Sequence, residues 1–174
     1  NRFTSCPQAS KTSYAGLKLR LTLLSVGKLS EPFIQEGCEL FVERVRRYAT
    51  LHLIVIPEEK ISSRGKKKYI LQQEGERIRG KIRPGVFTVA VDERGKVLSS
   101  EAFSHSLETW SSSGLKEVAF ILGGPYGLDD SLKEKADFRL SLSSMTLTHG
   151  LAKMFLLEQI YRAFTILRGE PYHK

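Results

Sequence analysis

Apolar residues recur along the chain with two different periods. Between Leu17 and Leu24 every second residue is leucine and the residues between are mostly polar, which is typical of a β-strand. From Glu31 to Tyr48 apolar residues recur every three or four positions, as on one face of an amphipathic helix. The two periods alternate along the rest of the chain. They predict further strands over Leu51–Ile56, Val86–Val91, Glu117–Leu122 and Phe138–Leu142, and helices over Lys68–Arg83, Ser100–Ser112, Asp129–Ala136 and Thr148–Leu167.

This alternation of strands and helices, without repeats or a long linker, predicts one α/β domain over residues 17–174. A mainly parallel sheet with helices on both faces is the expected architecture. Glu117–Leu122 is almost wholly apolar, which indicates a strand buried on both faces. Because ligands bind beyond the carboxyl ends of parallel strands, we expect functional residues just after Val91, Leu122 and Leu142.

Residues 1–16 differ from the rest of the chain. They contain no acidic residue, several Ser and Thr, and no clear period. We interpret them as a flexible arm or the remnant of a transit peptide, with a cloning scar as the alternative. The arm predicts an organellar enzyme, with the plastid ahead of the mitochondrion. The bacterial cytoplasm is the alternative location.

Composition and charge narrow the classes of function. The 174 residues are 41% hydrophobic and 26% charged, which excludes wholesale disorder. Apolar runs such as Val118–Leu122 are too short to cross a bilayer, so we expect no membrane partner. Two cysteines exclude a disulfide scaffold and a four-cysteine zinc site, and no His, Cys and carboxylate spacing supports a metal site.

The chain is strongly basic, and its excess charge is unevenly placed. A net charge of +8 and a pI near 9.6 favour polyanionic partners such as nucleic acid. Residues 60–68 (KISSRGKKK) contain five basic residues and no acidic one. This stretch, including Lys66, Lys67 and Lys68, is a candidate RNA-binding loop, and a solvated flexible loop is the alternative.

Three segments carry candidate chemistry. The turn 123–127 (GGPYG) follows a buried strand directly and permits close approach of a ligand to the backbone, although a tight turn also requires glycine. Residues 141–149 (SLSSMTLTH) offer small hydroxyls between two apolar walls. Thr148 alone is explained as a helix cap, and His149 alone as an ordinary first-turn histidine. The terminal residues 171–174 (PYHK) combine stacking, proton transfer and phosphate contact. Neither a G-x-G-x-x-G fingerprint nor a Walker A loop is present.

Ordered matches along residues 17–174 identify a family resemblance. The matches are the segments 25–28 (SVGK), 73–76 (QEGE), 121–125 (ILGGP) with Gly127, 140–143 (LSLS), 146–147 (TL) with His149, 158–163 (EQIYRA) and 171–174 (PYHK). On these segments the chain resembles the ribosomal large-subunit pseudouridine methyltransferase H family, of the SPOUT superfamily. One departure is Thr148, where family members usually have proline.

The resemblance implies a C-terminal trefoil knot, a homodimer and S-adenosylmethionine as cofactor. It further implies methylation of N3 of a pseudouridine in large-subunit ribosomal RNA within the assembled ribosome. Carried over by position, the implied cofactor-binding residues are Val91, Asp92, Gly123, Gly124, Leu142, Ser143, Ser144, Met145, Thr146 and Leu147.

Methyl transfer requires little apparatus beyond alignment and removal of a proton. His173 and Tyr172 are the candidate catalytic residues, with Arg162 orienting the tail or holding phosphate. Two other classes stay open. One is a non-catalytic RNA- or ribosome-binding domain of the same fold, and the other is a Rossmann-type oxidoreductase, which the missing fingerprint argues against.

Overall fold

A computed structural model describes residues 19–60 and 67–173 of the chain. The predicted arm 1–16, Lys66 and Lys174 lie outside the described residues. Five strands and five helices alternate. They are β1 (Arg20–Val26), α1 (Pro32–Arg46), β2 (Thr50–Ile56), α2 (Lys67–Arg79), β3 (Phe87–Val97), α3 (Ser100–Ser112), β4 (Glu117–Leu122), α4 (Asp130–Lys135), β5 (Phe138–Ser141) and α5 (His149–Leu167).

The five strands form one sheet in the order β2-β1-β4-β3-β5, and every pair is parallel. The predicted parallel sheet is therefore confirmed. Leu122 at the end of β4 is in register with Ser25 of β1 and with Val91 of β3. All carboxyl ends consequently meet at one edge of the sheet, which we call the carboxyl edge, and all amino ends meet at the opposite amino edge.

Helices cover both faces of this sheet, as the alternation of elements predicts. The apolar sides of α1, α3 and α5 share one core with side chains such as Leu23, Phe120 and Leu140. On the other face, Ile78 of α2 and Leu132 of α4 pack with alternate strand residues. The strand β4 is buried on both faces, because its side chains contribute to both cores. The trefoil knot implied by the resemblance stays a prediction.

The strand β3 is longer than its sequence pattern predicts. Its pairing with β5 shifts register between Val91 and Lys96 and then continues to Val97. A Cβ at Gly95 would lie 2.5 Å from the carbonyl carbon of Leu140, so only glycine permits this close passage. The irregularity places Asp92 at the point where the first ladder ends, beside the carboxyl edge.

The helix α5 lies between α1 and α3 and is largely buried, with Leu156, Leu157 and Ile160 fully covered. It begins at His149, beside the carboxyl edge, and ends near Gly169, whose φ of +65° turns the chain back. The final residues therefore fold back along the helix. In the described ranges, no helix combines the length and the hydropathy that a membrane span needs.

Candidate active site

The strand register gathers the predicted cofactor residues at the carboxyl edge. Val91 is in register with both Leu122 and Leu140. The residues that follow these three positions are Asp92, Gly123 and Ser141, so the loops that continue from them are neighbours in space. The structure therefore brings together the three segments that the resemblance implies for cofactor binding, residues 91–92, 123–124 and 142–147, which are separate in the sequence.

Packing within the turn explains the two glycines at its start. A Cβ on Gly123 would lie 2.2 Å from the carbonyl oxygen of Gly127, and one on Gly124 would lie 3.1 Å from Cγ1 of Val26. The backbone N–H of Gly127 donates to the Gly124 carbonyl at 2.9 Å, and Gly127 has a φ of +87°. These contacts favour the tight-turn interpretation of the glycines over open space for a ligand at their α-carbons.

His149 is attached directly to this turn. Its Nδ1 lies 2.8 Å from the carbonyl oxygen of Gly123, and since a carbonyl only accepts, Nδ1 carries the proton. Its Nε2 is buried without a partner among the residues that the structure describes. Burial lowers the pKa of His149 and the nearby Lys153 cation lowers it further, so the ring is neutral. Its sequence context predicts an ordinary first-turn histidine. Its place in the resemblance was the signal that it holds the turn.

Two further buried polar residues, Lys153 and Glu74, form hydrogen bonds near the carboxyl edge. Lys153, one helical turn after His149, donates from Nζ to Oγ of Ser25 at 3.0 Å, and burial lowers its pKa. Glu74 of α2 accepts from the backbone N–H of Glu59 at 3.0 Å, and burial raises its pKa. A buried polar atom without a partner costs free energy, so Lys153 and Glu74 keep these hydrogen bonds. The bonds therefore connect α5 to β1, and α2 to the segment after β2.

We expect the hydrogen bond from His149 to fix the conformation of the Gly123 turn. His149→Ala leaves the Gly123 carbonyl without its donor and should weaken binding of S-adenosylmethionine, the cofactor that the resemblance implies, about tenfold. His149→Asn, whose amide can donate, should lose less affinity. Because the pKa of folded His149 is lowered, the unfolded chain binds more protons as pH falls through about 6.5. Both substitutions should therefore reduce the loss of stability below that pH. Equal affinities for the two variants would contradict the role of Nδ1.

A cavity of about 200 Å³ opens beside the carboxyl edge, where β3 and β5 end. Its floor is apolar, with Leu140 and Leu142 from the β5 end and Phe103 from α3. Ser100 and Gln159 provide its polar wall and are joined by a hydrogen bond of 2.7 Å from Ser100 Oγ. Leu142 is the one predicted cofactor residue in this lining. The residues of α3 and α5 around the cavity were not identified from sequence.

The rest of the predicted cofactor loop is more open. Ser143 Oγ accepts from the backbone N–H of Met145 at 2.9 Å, which forms a tight turn. The side chains of Ser144, Met145 and Thr146 are exposed, and Met145 is 77% exposed. Asp92 accepts from the backbone N–H of Arg94 and lies 3.6 Å from the Lys133 Nζ. An exposed apolar Met145 at this position can cover a ligand that sits on the loop.

The predicted cofactor residues at the carboxyl edge form a first cluster, and the C-terminal tail forms a second. In the tail cluster the structure brings together the three predicted residues Arg162, Tyr172 and His173. Glu158 accepts two hydrogen bonds from Arg162, at 2.9 Å to Nε and 2.6 Å to Nη2. The Arg162 guanidinium lies 4.7 Å from the centre of the Tyr172 ring, and Tyr172 also packs edge-on against Tyr161. Because Nε and Nη2 are bound to Glu158 and the guanidinium lies over Tyr172, these contacts favour the first role considered for Arg162, that of orienting the tail, over phosphate binding.

His173 is held at both ring nitrogens. Its Nε2 donates to the Glu101 carboxylate at 2.7 Å, and its Nδ1 lies 3.4 Å from Nη1 of Arg162. Hydrogen bonds from the backbone of Glu101, from Ser99 and from His173 lower the pKa of Glu101 to about 2, so the carboxylate stays ionised. The free lone pair of His173 is therefore on Nδ1. This nitrogen must move away from Arg162 to accept a proton from a substrate.

The candidate RNA-binding lysines are only partly described. Lys67 and Lys68 are exposed in the first turn of α2. The hydrogen bond from Lys133 is the main cause of the lowered pKa of Asp130, and the nearby charge of Lys67 adds to it. Lys67 and Lys68 therefore lie on the carboxyl-edge side of the molecule. Across the described ranges, no cluster of His, Cys, Asp and Glu is arranged to hold a metal ion.

Comparison with known proteins identifies the family of the chain. The family described as "Predicted SPOUT methyltransferase" matches residues 19–173. A protein of Syntrophotalea carbinolica named ribosomal RNA large subunit methyltransferase H is 46% identical over 155 residues, which cover 89% of this chain and 99% of that protein. A protein of the same name from Alkaliphilus oremlandii is 41% identical over 90% of this chain and 100% of its own length.

A solved structure supports the fold. The probable methyltransferase from Bordetella pertussis Tohama I superposes with a TM-score of 0.54 and covers 84% of this chain and 97% of its own, at 12% identity. The family match covers both clusters described above, from the Val91 end of β3 to His173. The chain belongs to the SPOUT methyltransferase family, and its curated relatives carry the name ribosomal RNA large subunit methyltransferase H.

Proposed function

We propose that the protein uses S-adenosylmethionine to methylate N3 of a pseudouridine in large-subunit ribosomal RNA, within the assembled ribosome. The observation that supports this is the position of the cavity between the two clusters. Leu142 of the cofactor loop lines one side, and Ser100 and Gln159 line the other. Their sequence neighbours Glu101 and Glu158 hold the catalytic tail. A donor and an acceptor can thus be placed between the loop and the tail.

The residues at the carboxyl edge fit a nucleoside-containing cofactor. The apolar floor of the cavity suits a flat base, and the hydroxyls and the amide of its wall suit polar groups. The buried, unpartnered Nε2 of His149 offers an acceptor beside the Gly123 turn. Val91, the Gly123 turn and the loop from Leu142 to Leu147 would hold S-adenosylmethionine, which supplies the methyl group as an electrophile when bound.

The protein's own contribution is alignment and proton transfer. Uridine-like N3 carries a proton that must leave during methylation, and His173 presents a lone pair on Nδ1 once Arg162 moves aside. Glu101 then keeps the proton on Nε2 and orients the ring. Tyr172 is no base at neutral pH, because burial and the Glu158 carboxylate raise its pKa. It serves as a stacking surface.

Titration tests the cofactor assignment, and mass mapping tests the target. Calorimetry should show binding of S-adenosylmethionine and S-adenosylhomocysteine and no binding of NADH. Mass mapping of large-subunit ribosomal RNA, from cells with and without the protein, should show one methylated pseudouridine that depends on it. Binding of neither sulfur cofactor, with ribosome binding intact, would favour the non-catalytic RNA-binding alternative. Binding of NADH alone would favour the oxidoreductase.

The surface of α1 and α5 supports a homodimer. These helices touch where Gly37 faces Met154, since a Cβ there would lie 2.3 Å from the Met154 sulfur. Four large apolar side chains flank this contact and stay exposed. They are Phe33 and Leu40 on α1 and Leu151 and Phe155 on α5, with Phe33 64% exposed. Exposed apolar surface of this kind marks an association site, and Phe155 links it to the cavity.

A charge in this patch should therefore produce monomers. We expect Phe33→Asp with Leu40→Asp to halve the mass measured by light scattering, because a buried carboxylate in the interface is costly. Tyr69→Asp provides the control, since Tyr69 is exposed on α2, on the other face of the sheet. A dimeric double variant with a folded circular dichroism spectrum would show that the two copies meet elsewhere.

The compartment is proposed from the arm that precedes the domain. The relatives named above are bacterial, which agrees with the bacterial cytoplasm as the alternative location. The plastid rests on the acid-free composition of residues 1–16. A fluorescent fusion of the full chain in plant cells should enter plastids. Diffuse cytosolic fluorescence would contradict this location without affecting the chemistry.

A further inference from the structure

A wide groove of about 800 Å³ lies at the amino edge of the sheet, on the opposite side from the candidate active site. Among the described residues that line it, four are cations and none is acidic. The cations are Arg20, Arg46, Arg47 and Lys116. Nothing in the proposed chemistry uses them, although they form a concentrated positive surface on the described part of the chain.

The topology explains why these cations are neighbours. Arg46 and Arg47 end α1 just before β2 begins, Arg20 begins β1, and Lys116 directly precedes β4. The strands β2, β1 and β4 are adjacent, and Arg20 is in register with both Thr50 and Glu117. Adjacent strands are about 5 Å apart, so the cations form a row across three strand ends.

Most of this charge is not neutralised by the protein. Arg20 lies 3.7 Å from the Glu117 carboxylate, which also pairs with Arg83. Among the described residues, no carboxylate is within ion-pair distance of Arg46, Arg47 or Lys116, and all three are exposed. The carbonyl end of α1 favours two of them electrostatically, but Lys116 is on no helix. Unpaired like charges in one groove favour a polyanionic partner.

We propose that this groove binds the ribose–phosphate backbone of RNA and forms a second contact with the ribosomal substrate. The inference rests on the proposed function for the identity of the RNA. The seven residues of β1 separate the two edges by about 20 Å. A single nucleotide therefore cannot reach both edges, whereas a folded RNA segment can. Such contacts position the RNA and add affinity without reading its sequence.

The test compares two charge-matched variants of the full chain. The groove variant carries Arg46→Gln, Arg47→Gln and Lys116→Gln. The control variant carries Lys96→Gln, Lys135→Gln and Arg139→Gln, which are exposed on the β3–β5 side and have no ion-pair partner among the described residues. Binding of each to unmodified ribosomes and their large subunits, and to protein-free large-subunit ribosomal RNA, is measured between 50 and 200 mM salt, roughly the range over which phosphate contacts are lost.

We expect the groove variant to bind about tenfold more weakly, with a log–log salt slope smaller by about two, while the control variant keeps the wild-type slope. In methylation assays the groove variant should raise KM for the ribosome and leave kcat and S-adenosylmethionine affinity unchanged. Equal slopes for the two variants would overturn the proposal, as would a difference seen on ribosomal subunits and absent on protein-free RNA, which indicates an acidic protein partner. If the wild-type protein binds no S-adenosylmethionine, the proposed function fails, and the salt slopes still decide whether the groove binds RNA.

Discussion

Removal of Tyr172, His173 and Lys174 should reduce methylation about 100-fold or more and leave the affinity for S-adenosylmethionine unchanged. The loss follows from the role of His173 as proton acceptor, because general base catalysis contributes at least about 100-fold. The unchanged affinity follows from geometry, since the tail packs on Glu101 and Glu158 and away from the Gly123 turn. Single-turnover methylation and calorimetry on the same preparation measure the two quantities.

Three single substitutions distinguish proton transfer from simple docking of the tail. His173→Gln retains a polar side chain and should lose activity as the deletion does. Glu101→Gln removes the carboxylate that orients Nε2 and should cause a smaller loss. Tyr172→Phe keeps the contacts with Arg162 and Tyr161, so it should be close to wild type. An active His173→Gln protein would assign proton removal to solvent and contradict the catalytic role of the histidine.

The fold was predictable because its signals are local. The two-residue period of strands and the 3.6-residue period of helices can be detected within a short stretch of sequence. The predicted bounds of most elements therefore agree with the structure to within a few residues. The end of β3 was missed because its continuation depends on a contact between Gly95 and the backbone of Leu140, 45 residues away. No period in the sequence of β3 reports such a contact.

In the candidate site, too, residues with a local sequence signal were predicted, and residues defined by distant contacts were not. The Gly123 turn and the loop after Leu142 were visible as unusual composition next to strands. Glu101 was not visible, and Glu158 belonged to the resembling segment 158–163 without a role, because a single glutamate on a helix has no signature until its partner is known. His149 was judged from its place in a first helical turn, whereas its role comes from a carbonyl 26 residues earlier. Contacts distant in sequence therefore account for what was missed.

The structure also changes how the glycine turn should be tested. Gly124 is adjacent to Val26 and the Glu74 carboxylate, so a large side chain there disturbs the protein before it reaches a ligand. Gly123 permits the smaller change, because the single methyl group of alanine already overlaps the backbone of Gly127 and so acts on the turn itself. Gly80 after α2 provides a matched control, since its Cβ would have ordinary contact at 3.5 Å with the carbonyl oxygen of Glu76.

We expect Gly123→Ala to weaken binding of S-adenosylmethionine at least about tenfold, or about 1.4 kcal/mol, because Gly127 must shift and the bond to His149 must change with it. The strain should cost about 2 kcal/mol of stability, which lowers Tm by roughly 4–8 °C. Gly80→Ala should keep its affinity and gain a few tenths of a kcal/mol. Calorimetry at 15 °C keeps both variants folded and separates affinity from stability, with the temperature chosen as roughly that of maximum stability for a domain. If Gly123→Ala binds the cofactor as the wild type does while its Tm falls, the turn supports the fold and does not form the cofactor site.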